Sequence, residues 1–271
     1  MAPRSLKAMT RARAPVFGTF VVEFDTPGMG HILAAAGCDF VFHDMEHSGF
    51  GIDSVKRSLR YYEAAGVRVI VRPPSKAYHH IATVLDAGAE GVCLPMVGSA
   101  AETEEIVACV KYPPVGARGI ALQVAHDHYT AGVPAEKMRA ANRRTCVVPL
   151  IETAEGVANV DAIAAVKGVD MLWIGHFDLS ASLGIPGQFD HPDFKAAVRR
   201  VLRAAAKHDL SLGMIAGSAE HGLALIKSGF NFICYSGDVW LLRDSLRAGI
   251  DDMRAGLARS RKTGTKGKRK S

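Results

Sequence analysis

The chain has 271 residues, 48% hydrophobic and 22% charged, which is ample apolar material for one large core. Aromatic residues make up only 7%, while Ala, Gly and Val abound, a balance that suits helices packed on a parallel sheet and speaks against a β-sandwich. The net charge of +6 is a property of the chain end: eight Lys and Arg and no acid fall within 254–271, so the remainder is slightly acidic and no basic nucleic-acid-binding body is expected.

Residues 1–15 are basic, lack the apolar stretch of a signal peptide and read as a flexible N-terminus. Short β-branched or aromatic runs bounded by Gly, Pro or Asp then predict strands over 17–23, 39–43, 67–71, 91–95, 146–151, 170–174, 211–215 and 231–235. Helical spacing fills the intervals 53–65, 77–87, 101–111, 156–166, 193–208 and 219–227. Gly37, Gly66, Gly88, Gly168 and Gly229 stand where a helix must stop and turn back into the sheet. Eight such units predict a single-domain (β/α)8 TIM barrel over residues 16–256. An open doubly wound sheet needs no eighth strand, and no Gly-x-Gly-x-x-Gly follows the first one. Residues 257–271 read as a disordered basic tail, with no apolar residue from 260 onward. Apolar runs such as Met171–Ile174 are too short to cross a bilayer. Cys38, Cys93, Cys109, Cys146 and Cys234 occur singly and read as reduced thiols, hence a cytoplasmic protein.

In such barrels the loops leaving the strands build the active site, so polar residues at strand C-termini carry the chemistry. The second strand runs into His43-Asp44-Met45-Glu46-His47, the third into Arg72-Pro73-Pro74, the fifth into Glu152-Thr153 and the sixth into Gly175-His176-Phe177-Asp178. Glu152 and Asp178 lie one βα unit apart, on adjacent strands. Two carboxylates with waters beside them suit a hard octahedral ion such as Mg²⁺ or Mn²⁺, with Co²⁺ a further candidate. Taken singly, each acid reads equally well as a helix or turn cap. His47 is the available general base, with Asp44 and Glu46 to orient or charge it. Arg72 suits an oxyanion, because it does not give up its proton. Asp86, by spacing alone, is an ordinary acid at a helix C-terminus.

Several motifs then resemble one family. They are Asp44-x-Glu46-His47, Val71-Arg72-Pro73, Leu85-Asp86-x-Gly88, Leu94-Pro95-Met96-Val97, Tyr112-Pro113-Pro114-x-Gly116-x-Arg118-Gly119, Ile151-Glu152-Thr153 and Asp178-Leu179-Ser180. In order and spacing, over about residues 17–253, they resemble the 2-oxo-acid aldolases of the HpcH/HpaI aldolase/citrate lyase family. The resemblance implies a divalent-metal pyruvate aldolase without a Schiff-base lysine, assembled as a homotrimer or homohexamer by exchange of the last helix. It implies Glu152 and Asp178 as metal ligands, His47 as base, Arg72 as enolate stabiliser and Asp86 as the acid that raises the basicity of the histidine. Two departures flank the metal site: His176 stands where the family pattern carries Pro, and Leu150 where it often carries a substrate-binding Gln. With Gly175, Phe177 and Leu150 expected to contact substrate, the implied reaction is cleavage of a 4-hydroxy-2-oxo acid to pyruvate and an aldehyde. The alternatives are an acyl-CoA lyase of the citrate lyase β or malyl-CoA type, or a non-catalytic binding barrel.

Overall fold

The computed structural model describes residues 5–267. Eight parallel strands pair in chain order and the last closes on the first, giving a closed barrel. The chain runs α1 (Leu6–Ala12), β1 (Val16–Val21), α2 (Met29–Ala35), β2 (Phe40–Asp44), α3 (Ile52–Ala65), β3 (Arg68–Arg72), α4 (Tyr78–Asp86), β4 (Gly91–Leu94) and α5 (Ala100–Val110). It continues with α6 (Pro134–Arg144), β5 (Cys146–Ile151), α7 (Ala154–Ala164), β6 (Met171–Ile174), α8 (His176–Ser182), α9 (Pro192–Lys207), β7 (Ser211–Ala216), α10 (Ala219–Ser228), β8 (Phe232–Gly237) and α11 (Asp238–Gly267).

The two faces of each strand explain both cores. In β2, Phe40 and Phe42 point into the barrel beside Ile70, Trp173 and Phe232, whereas Val41 points outward against Leu33 and Tyr62 on the helices. This period of two, buried on both sides, is what parallel strands under a helical layer require. Gly66 and Gly229 end α3 and α10 at φ 74° and 109°, a left-handed conformation that side chains with a Cβ rarely adopt.

Both chain ends depart from the sequence expectation. The segment expected to be flexible contains α1, whose Leu6 and Met9 complete the lower end of the barrel interior. Lys7 pairs with Asp170, and Ser211 Oγ donates to the Thr10 carbonyl at 2.7 Å. A seven-residue helix in a basic run carries no periodic signal of its own; the hole it fills exists only once the barrel has closed. At the other end the tail expected from residue 257 overlaps α11, which continues to Gly267, and residues 268–271 lie outside the described residues. The strongest contacts of α11 are with β1 and β8 at its start. Further along, Leu242, Leu246, Ile250, Met253 and Leu257 are exposed in a stripe at helical spacing.

Candidate active site

At the C-terminal end of the strands the polar residues converge on one cavity of about 1260 Å³, lined among others by His47, Arg72, Glu152 and Asp178. Arg72, the last residue of β3, is 7% exposed, and its guanidinium donates from Nε to Asp44 Oδ1 at 2.6 Å and from Nη2 to Asp44 Oδ2 at 2.8 Å. A further nitrogen, Nη1, stands 3.0 Å from Glu46 Oε2, an ion pair without hydrogen-bond alignment. The rings of Phe20 and Phe42 lie 5.6 and 5.9 Å from the guanidinium carbon. A planar fork held on one edge by a buried carboxylate, with N–H groups to spare, is a preorganised anion receptor.

Asp44 also fixes the loop that follows β2. Its carboxylate accepts the backbone N–H of Glu46 and of His47, each at 3.1 Å. The His47 side chain is mostly exposed to the cavity, with Nε2 3.9 Å from Glu46 Oε2. Asp44 thus positions both Arg72 and His47, where the sequence suggested a role beside the histidine alone.

Glu152, just past β5, is 2% exposed. It does not cap the following helix; Thr153 does, accepting the Gly156 N–H at 2.9 Å. Instead Glu152 Oε1 accepts the N–H of Met96 at 2.7 Å, and Met96 itself sits at φ 53°. Lys76 donates to the Met96 carbonyl at 2.8 Å and steadies this turn from the other side. Oε2 faces Gly175 so closely that a Cβ there would lie 2.3 Å away. Burial, reinforced by the charge of Asp178 and opposed by the Met96 hydrogen bond, pushes the Glu152 carboxyl up to about 7. Asp178, in the first turn of α8, accepts no hydrogen bond among the described residues.

Two carboxylates that repel one another, with Glu152 Oε2 accepting no hydrogen bond from the described residues, fit a hard divalent cation. Among the described residues no group of three or more His, Cys, Asp or Glu stands together; Glu152 and Asp178 are two carboxylates of this cavity that could hold such an ion. Leu150, Gly175 and Phe177 all line the same cavity, Leu150 as an apolar wall at 2% exposure and Phe177 at 63%.

Asp86 is not in this group. It ends α4, away from the strand C-termini, and binds Arg118 Nη2 at 2.5 Å. The helix carries it toward the opposite end of the barrel, so within the chain it does not reach His47; the acid beside that ring is Glu46. The Met96 amide and the Asp44 clamp were missed because a backbone donor has no side-chain signature and because Asp44 looked like one acid among several.

Barrel and rim together define a (β/α)8 enzyme with its chemistry at the strand C-termini. A profile of the HpcH/HpaI aldolase/citrate lyase family matches residues 17–244. The hydroxypyruvate/pyruvate aldolase of Paraburkholderia phytofirmans is 35% identical over 250 residues, covering 90% of this chain and 95% of the relative. The 5-keto-4-deoxy-D-glucarate aldolase of Shigella boydii is 30% identical, covering 90% and 93%. The crystal structure of an HpcH/HpaI aldolase from Desulfitobacterium hafniense superposes with a TM-score of 0.85 at 32% identity, covering 90% of this chain and 94% of that one. The chain belongs to the HpcH/HpaI aldolase/citrate lyase family. It is a carbon–carbon lyase of the aldolase type.

Proposed function

We propose that this aldolase holds a Mg²⁺ or Mn²⁺ ion between Glu152 and Asp178 and reversibly cleaves a 4-hydroxy-2-oxo acid to pyruvate and an aldehyde. The observation that carries the reading is the pairing of those two carboxylates in one cavity with the clamped guanidinium of Arg72. A bound divalent ion supplies Lewis-acid polarisation of the substrate's 2-oxo group.

The chain's own residues do the rest. His47, exposed to the cavity on a loop pinned by Asp44, takes the proton from the C4 hydroxyl. As the C3–C4 bond breaks, its electron pair becomes the pyruvate enolate, and the N–H groups of Arg72 not engaged by Asp44 stabilise the oxyanion. Leu150, Phe20 and Phe42 wall the floor and exclude water from the carbanion equivalent. A proton, the one held by His47 or one exchanged with solvent, then adds to C3 of the enolate to give pyruvate and restores the neutral base; in the reverse direction His47 protonates the new alkoxide.

We infer that α11 packs on a second copy of the chain, because a helix with a continuous apolar stripe must cover it. The five free thiols suit a cytoplasmic location, and the assembly proposed is the trimer or hexamer that the family resemblance implies. The decisive test is pyruvate release from 4-hydroxy-2-oxo acids before and after chelation with EDTA. Activity should vanish on chelation and return with Mg²⁺ or Mn²⁺; undiminished turnover in EDTA excludes the metal-dependent reading.

A further inference from the structure

Two imidazoles in the cavity have no part in the mechanism above. His176 opens α8 at the end of β6, its ring 4.6 Å from Phe177 and edge-on to Phe189 at 5.1 Å. These contacts fix the plane of the ring, yet neither nitrogen has a hydrogen-bond partner among the described residues. His221 lies in the first turn of α10, just past β7, and only its backbone is engaged, by Ser218 Oγ at 3.1 Å. Both rings line the same cavity. The surrounding wall is apolar, with Met214, Ile215 and Phe189.

The barrel order says which half of the substrate they meet. β3 and β7 stand opposite each other in a closed ring of eight, so Arg72 and His221 face one another across the mouth. An oxo acid held by Arg72 and by the carboxylates after β5 and β6 leaves the β7 side for the other cleavage fragment. His176 is half-buried and His221 exposed; a half-buried polar ring in an apolar wall is costly unless a ligand meets it. The nearby cations are already paired: Arg72 with Asp44, Lys195 with Asp190 and Arg243 with Asp244, leaving Arg199 exposed at the outer edge. A neutral imidazole offers one donor and one acceptor nitrogen, and a hydroxyl group answers both.

We propose that His176 and His221 form the hydrogen-bonding end of the aldehyde pocket and select short hydroxylated aldehydes over alkyl ones. This rests on the aldolase reading above and adds to it the class of its second substrate. The two residues discriminate between aldehydes through contact with the acceptor's hydroxyl group, and the oxo-acid half is held elsewhere.

The test is aldol addition of pyruvate to glycolaldehyde and to acetaldehyde by the full chain with Mn²⁺, scored as the ratio of the two kcat/KM values. His176→Phe keeps the packing on Phe177 and Phe189 and removes the nitrogens; His221→Ala changes an exposed site where folding is not at stake. Each should lower the ratio by roughly threefold to tenfold, the worth of one neutral hydrogen bond, and His176→Asn should recover part of it. A ratio unmoved in both variants of an active enzyme overturns this inference and leaves the aldolase reading standing. So does a His176→Phe enzyme that loses both aldehydes equally. A wild-type chain that joins pyruvate to neither aldehyde overturns the aldolase reading and this inference with it.

Discussion

Arg72 and Asp44 are joined by two parallel hydrogen bonds of 2.6 and 2.8 Å, between side chains 9% and 0% exposed. Asp44 in turn holds the amide of His47. One carboxylate therefore positions both the proposed oxyanion receptor and the proposed base. Arg72→Lys keeps the charge and loses the fork, so kcat should fall about 10²–10³-fold, the scale of a lost oxyanion donor. Asp44→Asn should impair the same step by displacing both partners. Steady-state pyruvate release measures this; a Lys variant within a few-fold of wild type would remove Arg72 from the mechanism.

Gly175 is where it is because Glu152 needs the space. A methyl group there would sit 2.3 Å from Oε2 and 2.8 Å from the Glu152 Cβ. Gly175→Ala should turn the carboxylate away from Asp178 and weaken Mn²⁺ binding by roughly tenfold to a hundredfold, as for other residues that orient a metal ligand. Free Mn²⁺ measured by electron paramagnetic resonance reads it directly, with circular dichroism to confirm the barrel. Unchanged affinity would show that the ion is held elsewhere.

The metal-free chain should respond to pH through Glu152. Its folded pKa of about 7 lies above the 4.5 of an ordinary glutamate, raised by burial and by Asp178. A carboxyl with a raised pKa keeps its proton longer folded than unfolded, so stability is lost as pH climbs from about 4.5 to about 7. His43 acts in the opposite sense, since burial lowers it to about 4 and stability is lost as pH falls below 6.5. Comparing Tm against pH for wild type and Glu152→Gln isolates the glutamate: the variant should gain most on wild type near neutral pH. Added Mn²⁺ should raise the wild-type Tm at pH 8 and leave the variant almost unmoved. Equal metal stabilisation of both would detach Glu152 from the ion.

The N-terminal helix should matter to stability more than its basic composition suggests. Leu6 is fully buried, and a Cβ at Gly91 would lie 2.7 Å from its Cδ2. Leu6→Ala leaves a hole in the barrel floor and should cost about 2–5 kcal/mol in urea unfolding. A cost below about 0.5 kcal/mol would mean that α1 rests on the barrel without filling it.

The barrel itself was legible because each strand is short, β-branched and bracketed by stops; the stretch 146–151 was read to the residue, and the others to within one or two. The ring of functional positions was legible for the same reason, since strand ends locate the mouth. Glu152, Asp178, Arg72 and His47 could be named from where their strands stop, and all four line one cavity. What chain order could not supply was contact between segments far apart in sequence. The Met96 N–H reaches Glu152 across 56 residues. The Asp86–Arg118 pair joins the end of α4 to the segment after α5 across 32 residues. Leu6 meets strand residues only after the sheet has closed around an axis. Local propensity and periodicity are written in neighbouring residues, and they settled the strands, the helices and the end of the barrel that bears the chemistry. Which carboxylate holds which donor depends on closure of the ring, and only the tertiary structure decides it.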